Sequence, residues 1–205
     1  MSSPALAAGP AAAGGPAPGD VLPLPLVLAN AVVFQLAWFA CVLGGAHGLP
    51  WLGPLAVAAM AAWHLGWVAR PDPELRLVAA ALALGLVFDA LLLASGAIRF
   101  PSGHWLPGLS PYWMQALWVL FALTLNVSLR WLKGRLLLAA ALGAVSGPLS
   151  FWGGARLGAA TLVDRPLALG LLAVGWGLAM PLLVGAATRW NGVAARRAAA
   201  AGAAR

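Results

Sequence analysis

Long apolar runs divide this sequence, and they constrain its fold more than any other feature. Each run is close to the length of about 20 residues that an α-helix needs to cross the hydrocarbon core of a bilayer. The runs lie at approximately 24–45, 50–69, 76–97, 111–132, 135–158 and 166–188. Charged residues make up only 8% of the chain, whereas a soluble domain carries about 25% because its surface faces water. The sequence therefore predicts an all-α fold, a polytopic integral membrane bundle of six transmembrane helices.

Helix-breaking and charged residues separate these runs. Residues 70–74 (RPDPE) place two prolines among charges, a pattern that predicts an aqueous turn between helices. The first residues, 1–23, are rich in Ala, Gly and Pro and lack periodicity, which predicts a disordered tail. They also lack the basic residue that a secretory signal requires. We therefore expect a tail at 1–23, a six-helix domain at 24–188 and a basic cytoplasmic tail at 189–205.

Lysine and arginine indicate how the chain is oriented in a membrane. If the N-terminus is cytoplasmic, nine of the twelve basic residues fall in cytoplasmic segments, and Arg99, Arg156 and Arg165 fall outside. This asymmetry follows the positive-inside rule and predicts that both termini are cytoplasmic, N-in/C-in. The same rule accounts for the net charge of +7, so we expect no nucleic-acid partner. The dominance of Ala, Leu, Gly and Arg is typical of a GC-rich bacterial genome and favours the inner (plasma) membrane.

Asp89 is the acidic residue that lies deepest within an apolar run. An ionisable side chain at that depth is costly and is by default a candidate functional group. It would serve as a proton-titrating site, a cation site or a charge partner for a substrate. The alternative is a buried carboxyl group that is neutral or hydrogen-bonded. Arg156 is the favoured ion-pair partner, and Arg99 is the second choice.

Further polar residues complete the candidate intramembrane site. They are Asn30, Gln115, Asn126 and Ser150, which join Asp89 and Arg156. Side-chain amides in lipid commonly form hydrogen bonds between helices, worth about 0.6–2 kcal/mol, and this structural role is the alternative to a ligand site. His64, near the inner end of the second run, is interpreted as an interfacial packing residue.

Glycines recur along the fifth run at spacings of four, seven and four. They are Gly143, Gly147, Gly154 and Gly158. At about 100° per residue they share one helix face, and helices in lipid associate through such small residues. We therefore expect this face to pack against a neighbouring helix or a second copy of the chain. The alternative is a groove for lipid or substrate.

Catalytic, metal and nucleotide motifs are missing from the sequence. It contains no GxxxxGKS phosphate loop, no HExxH and no GxSxG. Its single cysteine excludes CxxC zinc and redox sites, and His47 and His104 have no third ligand spaced to complete a zinc site. We therefore predict no catalytic residue, no metal and no cofactor.

Several stretches resemble an uncharacterised bacterial inner-membrane family, domain-of-unknown-function 2878, over about residues 26–188. The stretches that carry the resemblance are Asn30, Phe34-Gln35, Trp38-Phe39, residues 51–54 (WLGP), Phe88-Asp89, residues 111–113 (PYW), Leu117-Trp118, Asn126, Ser128-Leu129, Trp131-Leu132, residues 147–152 (GPLSFW) and Gly158-Ala159. The family has no established activity, so the resemblance assigns no role to any position. It implies a setting in envelope lipid or stress physiology.

These observations favour a non-enzymatic inner-membrane protein that supports membrane lipid homeostasis or an envelope stress response. Its expected partners are membrane lipids and a lipid-modifying system, with self-association through the glycine face as a further possibility. One alternative is a small-solute or proton-coupled transporter that uses Asp89. Another is a membrane enzyme that acts on lipid acyl chains.

Overall fold

The apolar runs form helices that alternate in direction between two ends of a bundle. A computed structural model of the protein describes residues 22–203. Its helices are α1 (Leu24–Ala46), α2 (Leu52–Trp63), α3 (Pro71–Ala94), α4 (Tyr112–Leu125), α5 (Leu136–Arg156), α6 (Arg165–Arg189) and α7 (Gly192–Ala203), and its two short strands are β1 (Ile98–Arg99) and β2 (Thr161–Leu162). Most of the predicted tail at 1–23 lies outside the described residues.

Proline lies in the first turn of α1, α3 and α6. Pro71 opens α3, and Asp72 and Glu74 lie in its first turn. Proline is tolerated there because the first amide groups have no intrahelical partner, and acidic residues there complement the positive end of the helix dipole. The segment 70–74, predicted as an aqueous turn, is therefore mostly the first turn of a helix. In the same way α6 begins at Arg165-Pro166, where the Asp164 carboxylate accepts a hydrogen bond from the Leu167 amide at 3.0 Å.

Two of the predicted spans are shorter or less regular than expected. The second continues from α2 into a π-helical turn, His64–Val68. The fourth ends as α-helix at Leu125, and only a 3₁₀ turn, Arg130–Leu132, follows. Non-helical backbone at membrane depth is tolerated only where protein covers it. Residues Asn126 and Val127 meet this condition, since they are 2% and 0% exposed.

Four helical segments are long and apolar enough to cross a membrane. They are Leu24–Ala46, Pro71–Ala94, Leu136–Arg156 and Arg165–Ala203, while Leu52–Val68 and Tyr112–Leu125 are shorter apolar helices. Large apolar side chains cover the outer surface, as at Leu137, which is 89% exposed. Such a surface is stable in lipid and not in water. The chain is therefore an all-α membrane protein.

Contacts at the two ends establish the up-and-down order of the helices. At one end, here called the α7 end, Leu22, Val68, Ala69, Val127 and Val193 pack together. At the opposite end β1 pairs antiparallel with β2, so that Ile98 lies opposite Leu162. The starts of α1, α3 and α5 and the ends of α2, α4 and α6 thus share the α7 end. Helix α4 lies inside the bundle, against α1, α2, α3 and α6.

The glycines of α5 fall into two groups. A Cβ atom on Gly143 or Gly147 would collide with Trp176 of α6, so these two glycines allow α5 and α6 to approach closely. Gly154 faces only Val42, at 3.9 Å. Gly158 lies beyond the end of α5, in a turn where its φ is 90°. The structure therefore divides the predicted glycine face, and α6 covers only its first half.

Candidate functional site

A cluster of neutral hydrogen-bond donors surrounds Asp89. Asp89 is 2% exposed and lies on the buried face of α3. Its Oδ2 atom accepts hydrogen bonds from Ser110 Oγ, Gln115 Nε2 and Trp118 Nε1, each at 3.1 Å. Gln115 Nε2 also donates to Ser110 Oγ at 2.5 Å. Three donors converging on one oxygen fix the carboxyl group in place.

Two acceptors in this cluster have no donor. Asp89 Oδ1 and Gln115 Oε1 are buried and have no hydrogen-bond partner among the described residues. Unpartnered buried polar atoms are rare and each calls for a physical explanation. A proton on the carboxyl group would make Asp89 Oδ1 a donor, and a small cation beside it would take this oxygen as a ligand. The arrangement is therefore suited to a carboxyl group that binds one proton or one cation.

The predicted partner Arg156 does not join this cluster. No hydrogen bond or ion pair between Asp89 and either Arg156 or Arg99 occurs within residues 22–203. Arg156 is the last residue of α5, and the loop residue Ser110 contacts the carboxylate instead. Of the predicted polar site, only Asp89 and Gln115 are brought together.

Asn30 and Ser150 act at two separate places. Asn30 Nδ2 donates to the backbone oxygen of Leu123 at 3.1 Å, and Asn30 Oδ1 accepts from Ser128 Oγ at 2.7 Å. These bonds join α1 to α4 and its following turn. Ser150 Oγ accepts from Trp38 Nε1 at 3.2 Å and so links α5 to α1. Both residues therefore make hydrogen bonds between helices.

A second carboxylate cluster lies at the α7 end and includes Asn126. Glu74 is 0% exposed. Its Oε1 atom accepts from Asn126 Nδ2 at 2.7 Å and from the Gly192 amide at 3.0 Å, and its Oε2 atom lies 3.2 Å from His64 Nε2. Lys133 Nζ donates to Asn126 Oδ1 at 2.5 Å. The cluster therefore joins α3, the π-helical turn, the turn after α4 and the start of α7.

The sequence pattern did not predict this second cluster. Glu74 was predicted to lie in water and His64 at the membrane interface, yet both side chains are 0% exposed. The available signal was the position of Glu74 relative to Asp89. They are 15 residues apart, so at about 100° per residue both lie within about 60° on one helix face. That signal is readable only once α3 is known to begin at Pro71.

An apolar cleft of about 500 Å³ opens between α1 and α5. Helix α4 contributes its floor, and α6 contributes Trp176. The rings of Trp118 and Trp176 stack with centroids 4.8 Å apart and planes 1° apart, and Phe121 packs edge-on against Trp176 at 5.3 Å. The side walls are Phe34, Gln35 and Trp38 of α1 and Ser146, Leu149, Ser150 and Phe151 of α5.

The surroundings of this cleft indicate the kind of molecule that fits it. Leu36 on α1 is 65% exposed and Val145 and Leu149 on α5 are 60% and 57% exposed, so apolar surface flanks it on both sides. Pockets of about 300–1,000 Å³ that are mostly apolar with a few polar groups typically bind small apolar ligands. Trp118 lines the cleft and also donates to Asp89, so the cleft adjoins the Asp89 cluster.

A protein-family model matches most of the chain. A family model described as "Protein of unknown function (DUF2878)" matches residues 27–182. Neither the curated proteins nor the solved structures contain a significant match. The matched range includes the cleft, Asp89 and Glu74, whereas α7 lies beyond it.

Proposed function

The chain belongs to the DUF2878 family of proteins of unknown function, and we propose that it binds the acyl chain of a membrane lipid in the cleft between α1 and α5. In this proposal it is a multi-pass protein of the bacterial inner membrane, with six spans and both termini in the cytoplasm. It acts without catalysis, in membrane lipid homeostasis or an envelope stress response. A lipid-modifying system is its proposed protein partner.

The cleft between α1 and α5 carries this proposal. It holds about 500 Å³ and its walls are mostly aromatic and aliphatic. In a bilayer its flanks face lipid, so acyl chains are the apolar molecules present at highest concentration. The partly buried rings of Phe121 and Trp176 line the cleft, and a methylene chain against them gains dispersion contacts. The few polar side chains in its walls, such as Gln35 and Ser146, can donate hydrogen bonds to an ester oxygen of the lipid.

The alternation of the helices supports the six-span topology. Successive helical segments begin at opposite ends of the bundle, as α2 begins beside the end of α1 and α3 begins at the α7 end. Arg130, Lys133 and Arg135 lie at the α7 end, in the wall of the cavity that α7 borders. By the positive-inside rule this end faces the cytoplasm.

A bulky substitution inside the cleft tests acyl-chain binding. Ser146 lines the cleft and is exposed, so Ser146→Phe fills the space without entering the packed core. The matched control is Val145→Phe, because Val145 is the preceding residue, is 60% exposed and does not line the cleft. The measurement is crosslinking to a photoactivatable phospholipid in the membrane, followed by mapping of the labelled peptides.

We expect labelling of the cleft peptides to fall at least about fivefold in Ser146→Phe, because the bulky ring removes most of the favourable contact area. Labelling in Val145→Phe should match the wild type. Equal labelling in all three proteins would refute a specific cleft. Lipidomics of cells that express each protein shows whether the bound lipid is also modified. A modified lipid would indicate that the protein is an enzyme and not only a lipid-binding protein.

A second candidate function is proton-coupled transport through Asp89. The observation that favours it is the pair of buried acceptors without donors, Asp89 Oδ1 and Gln115 Oε1. The test uses proteoliposomes that enclose a pH-sensitive dye, with an imposed pH gradient. Proton flux that Asp89→Asn abolishes would support transport. No flux above empty liposomes would exclude proton movement by the protein alone.

A further inference from the structure

A large cavity at the α7 end lies outside the site described above. It holds about 970 Å³ between the turn after α4, the start of α5 and one side of α7. Its wall includes four basic residues and two asparagines. They are Arg130, Lys133, Arg135 and Arg197, with Asn126 and Asn191. None of the described residues that line it is acidic.

The side chains of this cavity are suited to a phosphate group. Lys133 is half-buried and Arg135 is exposed. Arg130 and Arg197 make further interactions, so the charge of the site does not depend on them alone. Arginine presents a planar set of donors that matches phosphate oxygens, and lysine adds a point charge. The Asn191 amide supplies a neutral donor for a remaining oxygen, whereas the Asn126 amide already donates to Glu74 and to the backbone oxygen of Trp190.

The distribution of charge at this end is more specific than a general excess of basic residues. The positive-inside rule places arginine and lysine here, but it does not require them to surround one cavity. Arg76 and Arg189 also lie at this end, are exposed, and do not line the cavity. They provide a matched comparison of equal charge.

The position of the cavity indicates the depth of a headgroup. Trp131, which lines it, is 48% exposed, and tryptophan favours the boundary between lipid and water. Leu22 and Val193 give it an apolar wall. Leu129 lines the acyl cleft, and the next residue, Arg130, lines this cavity. The polar cavity thus begins where the apolar part of the bundle ends.

We propose that this basic cavity binds a phosphate-bearing anion, the phosphodiester headgroup of an anionic membrane lipid. Basic pockets between helices on the cytoplasmic side are suited to such headgroups. Binding here does not require the cleft between α1 and α5 to be occupied. The two sites are therefore tested separately.

Removal of two cavity charges tests this proposal. The wild type, Lys133→Gln/Arg135→Gln and the control Arg76→Gln/Arg189→Gln are placed in nanodiscs of phosphatidylcholine with a minor fraction of phosphatidylglycerol. Native mass spectrometry then counts the phosphatidylglycerol retained by each protein. At about fivefold per basic residue, we expect the cavity variant to bind phosphatidylglycerol about 25-fold more weakly. The control should change less than about twofold, since exposed charges away from the site are screened.

Two further arms make the outcomes distinct. Arg135→Gln alone removes an exposed side chain, so its smaller loss of binding cannot come from misfolding. Thermal unfolding of the wild type in detergent with inorganic phosphate separates the two sources of phosphate. Stabilisation by phosphate without retention of phosphatidylglycerol would assign the cavity to free phosphate. Equal losses in both double variants, or no binding of either ligand, would overturn the proposal. Loss of cleft labelling in Ser146→Phe with normal phosphatidylglycerol binding would leave it standing.

Discussion

Replacement of Glu74 by alanine tests whether a buried carboxylate holds α7 against the bundle. Glu74 is completely buried and receives hydrogen bonds from Asn126 and the Gly192 amide, with His64 against its other oxygen. In Glu74→Ala the Asn126 amide retains the backbone oxygen of Trp190 at 2.9 Å. The Gly192 amide and His64 lose their acceptor.

The expected loss of stability follows from these two groups. A buried donor without an acceptor costs about 1–3 kcal/mol, so Glu74→Ala should lower the free energy of unfolding by about 2–6 kcal/mol. This is a large part of the roughly 5–15 kcal/mol that stabilises a typical fold. Glu74→Gln keeps an oxygen for Asn126 and Gly192 and should cost about 1 kcal/mol. Glu74→Gln keeps both the volume of the side chain and an acceptor oxygen, whereas Glu74→Ala removes both.

Two measurements follow the consequence of this substitution. Reversible unfolding in mixed detergent micelles gives the change in stability. Maleimide labelling of Val193→Cys reports whether α7 leaves the bundle, because Val193 is 4% exposed and the native thiol of Cys41 is 0% exposed. We expect Glu74→Ala to speed labelling and Glu74→Gln to leave it slow. A loss below about 1 kcal/mol with unchanged labelling would show that the carboxylate does not hold α7.

Three further predictions concern single residues. Gly147→Leu should lower the free energy of unfolding by about 1–3 kcal/mol or more, because the leucine side chain would collide with the ring of Trp176. The control Gly185→Leu should leave it unchanged, since nothing lies within 4 Å of a Cβ there. Equal melting temperatures of the two variants would contradict the close packing of α5 on α6. Asp89→Asn should keep the stability because it retains an acceptor, and Asp89→Leu should lose several kcal/mol, about 1–3 for each stranded donor; equal stability of the two would show that the cluster is unimportant. Burial lowers the pKa of Lys133 to about 8 from 10.5, against the raising effect of Glu74, so the folded state binds fewer protons between these pH values. Stability relative to Lys133→Gln should therefore rise from pH 8 to 10.5, and a flat difference in unfolding curves would contradict this burial.

The membrane fold could be predicted from sequence because it depends on local composition. Four of the predicted runs correspond to helices long enough to cross a bilayer. The ends were less predictable where tertiary contacts replaced helical hydrogen bonds. Helix α4 can end at Leu125 because the protein covers the following turn, and this cover is not visible in a window of sequence. The start of α3 at Pro71 has local signals in its proline and acidic residues, but the packing of its first turn against α7 is tertiary.

The candidate site was less predictable than the fold. Asp89 and Gln115 do meet, but Arg156 is not their partner, and Ser110 and Trp118 are. Arg156 was predicted as the partner of Asp89 because opposite charges attract, and this attraction depends little on how each helix is rotated about its axis. Hydrogen bonds from serine and indole groups require a particular rotation and depth, which periodicity does not supply.

What the sequence determined by itself is that the chain folds as helices in a membrane, because in lipid each backbone amide needs a partner close by in the chain. Which polar side chains meet was decided only by tertiary packing. Glu74 bonds Asn126 across 52 positions and Gly192 across 118. Such pairs form because apolar contacts along the whole length of the helices bring the helix ends together. That geometry is a property of the assembled bundle.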